Sequence, residues 1–302
     1  MIHIPLIAAL LALLPAASDA GPEIRTADVD RFYAMYDTAG GTPDQARIQR
    51  DYLDHASDGF VAFIKMRRIT ADRIAATLAA QPDLYVQARG CAAHLPAIRA
   101  RLTASLGKLR TLYPAAKLPP VTLAIGRGKP VGVANRDGVM IGLEALCAAD
   151  FMVADPEGRF VHVIAHEYVH VQQAAAGLDD EENATVLKAA LLEGGAEFVG
   201  ELMSGAVSYQ HLARITKGRE AAFEAGFLDD IDRPAQGSRW LYNGRGTADW
   251  PGDLGYWVGY RIAKAYYARA RDKRAAVRDI VELRDPKAFL AASGWEPGVE
   301  LP

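Results

Sequence analysis

The stretch Val161–Ala176 reads VHVIAHEYVHVQQAAA, and the rest of the chain is best read outward from it. Val161, Val163, Ile164, Val169 and Val171 surround a polar set, His166-Glu167-Tyr168-Val169-His170. On a helix, a spacing of four brings both imidazoles to one face, a turn apart, where they can share one ion. Glu167 is one residue from His166 and points to the side of that ion. There it can take a proton from water rather than bind the metal. Two histidines and a glutamate in a helix buried on most sides are costly unless something compensates them. The plain alternative is a hydrogen-bonded core helix with accidental spacing, but a ligand set explains the buried polar residues better.

Downstream stands Leu192-Glu193-Gly194-Gly195-Ala196-Glu197-Phe198. It falls in the next expected helix, Asn183–Met203, after a turn at Gly177-Leu178-Asp179-Asp180. So short a connection makes the two helices antiparallel neighbours. Glu193 would complete a His, His, Glu set for zinc with an open fourth position. Glu197, four residues on, would orient a ligand histidine through its free ring N–H. The glycine pair is expected to let this helix approach the His166 helix closely. The alternative is two glutamates on a solvated face.

The whole chain has 302 residues, 50% apolar and 24% charged, with a net charge of −3. That is a soluble globular composition, with no electrostatic case for nucleic acid. Ile4–Leu14 (IPLIAALLALL) followed by Ser18-Asp19-Ala20 reads as a signal peptide over residues 1–20 and is too short to span a bilayer. A buried N-terminal helix is the alternative. Residues 21–302 are expected to form a single domain, exported to the periplasm or secreted, with no stable membrane insertion once the leader is removed. Cys91 and Cys147 can pair in an oxidising compartment or remain buried thiols.

Residues 21–118 read as helices. Thr42-Pro43-Asp44-Gln45 suggests a capping box opening a helix toward His55. Thr70 caps another, and Leu95, Ile98, Leu102, Leu106 and Leu109 mark a long amphipathic helix. Val121–Ile125, Val131–Ala134 and Val139–Gly142 are short strands of a small sheet. Tyr209–Asn243 reads as mixed and irregular, and helix returns over Asp253–Arg271, Ala275–Leu283 and Pro286–Ala292. Helices, a small sheet, then helices give a mostly helical α+β fold, with the sheet packed on the H-E-x-x-H helix.

His166–His170 followed by Glu193-Gly194-Gly195-Ala196 resembles the gluzincin branch of zinc metallopeptidases. In its aminopeptidase-type members, a Glu-Gly-x-Ala segment supplies the third ligand, which implies that role for Glu193. A tyrosine in a Tyr-x-x-Gly segment stabilises the tetrahedral intermediate there. The match here is Tyr256-Trp257-Val258-Gly259, followed by Tyr260. A closer likeness is to a bacterial family of predicted Zn-dependent proteases. It rests on Gly138-Val139-Met140-Ile141-Gly142-Leu143-Glu144, the Glu-Gly-x-Ala-Glu segment, Gly255 to Tyr260, and Asp285 through Ser293. The resemblance implies a gluzincin-like core.

Tyr256 is thus the candidate oxyanion donor, with Tyr260 as the alternative. The strand Val139–Leu143 can lie beside the cleft and pair with an extended substrate, or be plainly structural. Glu144 reads as a surface carboxylate, with reach to a substrate amine as the alternative. His162 reads as a satisfied or partly exposed histidine, because a fourth protein ligand would close the site. Seven basic residues from Arg261 to Arg278 read as a solvated helix face.

Together these features point to zinc-dependent hydrolysis of a peptide or protein substrate. His166, His170 and Glu193 would hold Zn²⁺, with Glu167 and Tyr256 catalytic and Glu197 supporting. Two other readings stay open: a zinc amidase acting on cell-wall peptides, and a non-catalytic envelope binding module derived from a metallopeptidase. Nothing in the sequence fixes the oligomeric state.

Overall fold

The computed structural model describes residues 21–149, 152–178, 183–244, 246–247 and 249–301. The expected leader, and part of the turn after Gly177, lie outside the described residues. The first half opens with a two-residue strand, β1 (Ile24–Arg25), followed by six helices. These are α1 (Ala27–Thr38), α2 (Gln45–Asp51), α3 (Asp58–Arg67), α4 (Ala71–Ala80), α5 (Pro82–Cys91) and α6 (Leu95–Leu112). The α2 helix starts two residues later than the capping box suggests. Asp44, not Thr42, is its cap, and the Asp44 side chain accepts from Arg47 N, because Asp is an equally good cap and lies closer to the apolar run.

Strands β2 (Val121–Ala124), β3 (Gly132–Asn135) and β4 (Gly138–Gly142) join β1 in a mixed sheet of order β1-β2-β4-β3. The β1–β2 and β2–β4 pairs are parallel, and β3 returns antiparallel to β4. The Asn135 side chain accepts from Asp137 N and Gly138 N, closing that hairpin as an Asx turn. Because β4 is paired on both sides, it has no edge left for a substrate. Of the two readings of Val139–Leu143, the plainly structural one therefore holds, and β3 is the edge strand beside α8.

The rest comprises α7 (Leu143–Cys147), α8 (Pro156–Ala175), α9 (Val186–Ser204), α10 (Gln210–Thr216), α11 (Glu220–Asp230), α12 (Leu254–Arg269), α13 (Lys273–Glu282) and α14 (Pro286–Ser293). The fold is mostly helical α+β, with the sheet against α8. Asp155 caps α8 by accepting from Gly158 N, and Thr185 caps α9 by accepting from Lys188 N. Two helices, α10 and α11, occupy the stretch read as mixed and irregular. Phe223 and Phe227, four apart, are buried there and were the missed helical signal.

Cys91 and Cys147 form a disulfide, joining the end of α5 to the end of α7. Glu144 is only 1% exposed, against the surface reading. It opens α7 under the loop after β2, where its Oε1 accepts from Gly128 N at 2.9 Å. Its Oε2 is buried without a partner among the described residues. Arg261 also departs from the solvated-face reading. Its guanidinium is mostly buried against Glu224 at 2.5 Å, and Glu224 in turn accepts from Gly298 N.

Candidate metal centre

Helices α8 and α9 run antiparallel: His170 lies beside Glu193, and His162, two turns earlier, lies beside Glu197 and Ser204. The glycine of α9 that faces α8 is Gly200, where a side-chain carbon would make only ordinary contact. A Cβ there would stand 3.4 Å from His162 and 3.6 Å from the His166 backbone. Gly194 and Gly195 face elsewhere. A Cβ on Gly194 would lie 2.1 Å from Tyr260 N on α12, and one on Gly195 would lie 2.9 Å from Ile280 on α13. The pair therefore serves close packing on α12 and α13, not on the His166 helix. The helix must present Glu193 and Glu197 to α8 with one face, so the residues between them look the other way.

The structure brings three donor atoms together. His166 Nε2 and His170 Nε2 are 3.0 Å apart, and Glu193 Oε2 is 3.6 and 3.2 Å from them. The three side chains are 13, 22 and 12% exposed, so the cluster is open on one side. Glu197 Oε2 lies 3.4 Å from His166 Nδ1 and 3.1 Å from His162 Nε2, and Glu197 Oε1 accepts from Ser208 N. His162 is fully buried, with its Nδ1 at Ser204 Oγ, and stays outside the cluster of donors. Burial opposes charge on His166, but hydrogen bonds to Glu193 and Glu197 and the negative charges of Glu197 and Glu167 push its imidazole up to about 10. Despite burial, the neighbouring imidazoles hold the Glu193 and Glu197 carboxyls well below the carboxylate range.

Glu167 is 8% exposed and faces β3, where a Cβ on Gly132 would stand 2.7 Å from its Oε1. Burial raises its carboxyl, opposed by the charges of His170 and His166. Tyr256, on α12, packs in a group of phenols, with ring centroids 5.0 Å from Tyr209 and 6.3 Å from Tyr242. Burial, then the charge of Glu193, raises the Tyr256 phenol. Tyr260 turns the other way and donates to Glu201 Oε2 at 2.7 Å.

Sequence reasoning missed three neighbours. Gln173 Oε1 lies 2.7 Å from His170 Nδ1. The Tyr242 hydroxyl donates to Glu193 Oε1 at 3.3 Å. Asp253, at the start of α12, is pushed up to about 6 by burial. Gln173 had a readable signal, being three residues from His170 and so on its face. Tyr242 had none, because the loop that carries it meets Glu193 only in the folded chain.

A model of a family described as predicted Zn-dependent protease (DUF2268) matches residues 123–282, more than half of the chain. This chain belongs to that family. The match runs from β2 to the end of α13 and encloses His166, Glu167, His170, Glu193, Glu197 and Tyr256. No curated protein and no solved structure matches the chain.

The family is Zn-dependent, and the residues fit that ion. Tetrahedral zinc with bonds of about 2.0–2.1 Å sets neighbouring ligand atoms roughly 3.3 Å apart. The observed 3.0, 3.2 and 3.6 Å bracket that distance. Two imidazole nitrogens that close repel unless a proton or a cation lies between them. Three carboxylates, those of Glu167, Glu193 and Glu197, add negative charge that a divalent cation would offset.

Proposed function

We propose that this chain is a zinc peptidase in which His166, His170 and Glu193 hold the ion and Glu167 is the general base. The carrying observation is the convergence of the three donor atoms beside a buried carboxylate. When bound, zinc supplies Lewis acidity, acidifying water and polarising a carbonyl. Glu167 takes a proton on its carboxylate as water adds to the scissile carbonyl. It then passes that proton to the amine nitrogen as the C–N bond breaks. Burial suits it to the first task, because a raised pKa makes the carboxylate a better base. The Tyr256 phenol donates to the oxygen that becomes negative. Glu197 holds His166 by its Nδ1–H.

The edge of β3 supports a peptide substrate. Extended chains add to sheet edges through main-chain hydrogen bonds, and one laid along β3 would pass Gly132 and hence Glu167. We read residues 21–302 as one domain, supported by an apolar cluster that runs from Ile24 to Trp295. We read the chain as exported, supported by the disulfide, since such bonds persist in oxidising compartments. No helix among the described residues is long and apolar enough to cross a membrane.

The test is the zinc content of residues 21–302 beside the His170→Ala variant, with turnover of an unfolded protein substrate. One zinc per chain, lost in the variant together with turnover, is the expected result. Wild-type protein that takes up no zinc when offered it would overturn the reading.

A further inference from the structure

Gln173 is 3% exposed, and both ends of its amide are engaged. Its Nε2 lies 2.9 Å from the carbonyl of Leu192, and its Oε1 lies 2.7 Å from His170 Nδ1. A carbonyl only accepts, so the amide NH₂ must face Leu192 and the amide oxygen must face the histidine. That oxygen in turn only accepts, so Nδ1 of His170 must carry the hydrogen. In the neutral ring that leaves the lone pair on Nε2, the atom that faces His166 Nε2 and Glu193 Oε2. Leu192 directly precedes Glu193 in α9, so one side chain fixes the donor atom of one helix and tethers the other helix beside its own donor.

We infer that Gln173 is a positioning residue for the metal centre, setting His170 in its Nδ1–H form and locking α8 to α9 at Leu192. The inference rests on the zinc reading above. It differs from the role given to Glu197, which acts on the other histidine with a charged group. A neutral amide suits this place because it can accept from the imidazole and donate to the carbonyl at once. A carboxylate can only do the first.

That asymmetry supplies the test. Gln173→Leu removes both bonds, whereas Gln173→Glu keeps the acceptor for His170 and sets an oxygen against the Leu192 carbonyl. Zinc affinity is read by chelator competition, and folding by thermal melts of the metal-free proteins. The Leu variant should bind zinc about 10- to 100-fold more weakly, the usual cost of losing such a partner. The Glu variant should melt lower than wild type yet keep zinc affinity within about threefold, because carboxylates support ligand histidines equally well. Equal loss of affinity in both variants, or wild-type affinity in the Leu variant, would overturn the inference.

Should neither variant fold, imidazole ¹⁵N spectra of wild-type protein still decide. His170 should show the hydrogen on Nδ1, in the zinc-loaded protein and in metal-free protein at a pH where the ring is neutral. Hydrogen on Nε2 in either would overturn the role of Gln173. Failure of the wild type to take up zinc is a separate result and counts against the peptidase reading, while the metal-free spectrum still judges Gln173.

Discussion

The hydroxyl of Tyr242 sits 3.3 Å from Glu193 Oε1, the oxygen that the two histidines do not face. The carboxylate is thus divided, with one oxygen for the donor cluster and one held by a phenol from a loop. Tyr242 itself has a left-handed backbone, φ 58°, a conformation that clusters at functional sites. Its ring stands edge-on to Tyr256. Tyr242→Phe keeps the ring and loses the hydrogen bond. With the side chain 45% exposed, we expect unchanged folding and zinc affinity lower by about fivefold, the equivalent of ~1 kcal/mol. Chelator competition measures it, and equal affinity would make the phenol a bystander.

Glu167→Gln tests the base without disturbing the donors. The amide fills the same space beside Gly132 but cannot take a proton. Zinc content should stay at the wild-type level while kcat falls by about 10²- to 10⁴-fold, the usual worth of a general base. Normal turnover by this variant would remove Glu167 from the chemistry.

Close packing of α9 on α12 depends on Gly259, where a Cβ would stand 1.8 Å from the Ala190 carbonyl oxygen. Backbone cannot yield as a flexible side chain can, so the helices must part. Gly259→Ala should cost about 1–3 kcal/mol or more, read from urea unfolding, and should weaken zinc binding because Ala190 and Glu193 share one helix. Gly90→Ala is the control. Nothing lies within 4 Å of that position, and an exposed helical glycine there costs roughly 0.5–1 kcal/mol relative to alanine. A Gly259 variant as stable as the Gly90 variant would contradict the packing argument.

Burial raises the Glu144 carboxyl above its ordinary 4.5, so the folded chain binds that proton more tightly than the unfolded chain. The stability this group contributes is complete below pH 4.5 and is lost as pH rises through the raised value. Glutamine has no such proton. The difference in unfolding free energy between Glu144→Gln and wild type should therefore move in favour of the variant from pH 4.5 upward. Denaturant unfolding at several pH values reads it directly. A difference that stays flat with pH would show that Glu144 titrates at its ordinary value.

Much of the architecture is visible in the sequence because it is local. His166 and His170 are four apart in an apolar helix, and Glu193 follows after a turn too short for anything but an antiparallel return. The small sheet announces itself by β-branched runs between glycines. What escapes is set by distant contacts. Strand β1 has two residues and exists only because β2 is there to pair with. Glycines 194 and 195 are readable as close-approach positions, but which helix approaches is decided by α12 and α13. Glu144 looks like a surface acid because the segments near it, among them those carrying Tyr33, Tyr52 and Tyr85, whose phenols its charge raises, lie more than fifty residues away.

The pairing of Ile24 with Val121 has a consequence for the order in which the chain is assembled. Six helices lie between those two strands, and two tyrosines of that stretch reach the chain just past the later one: Tyr52 donates to the carbonyl of Ile125, and Tyr85 to that of Gly126. As the polypeptide leaves the ribosome, the first hundred residues can pack the rings, Phe32 against Tyr52 and Tyr85, but lack the acceptors for those two hydroxyls and any strand to receive β1. Closing so long a loop carries its entropic cost before the sheet returns anything. Strand β1 and those two hydroxyls must therefore wait for their partners until residues 121–126 emerge.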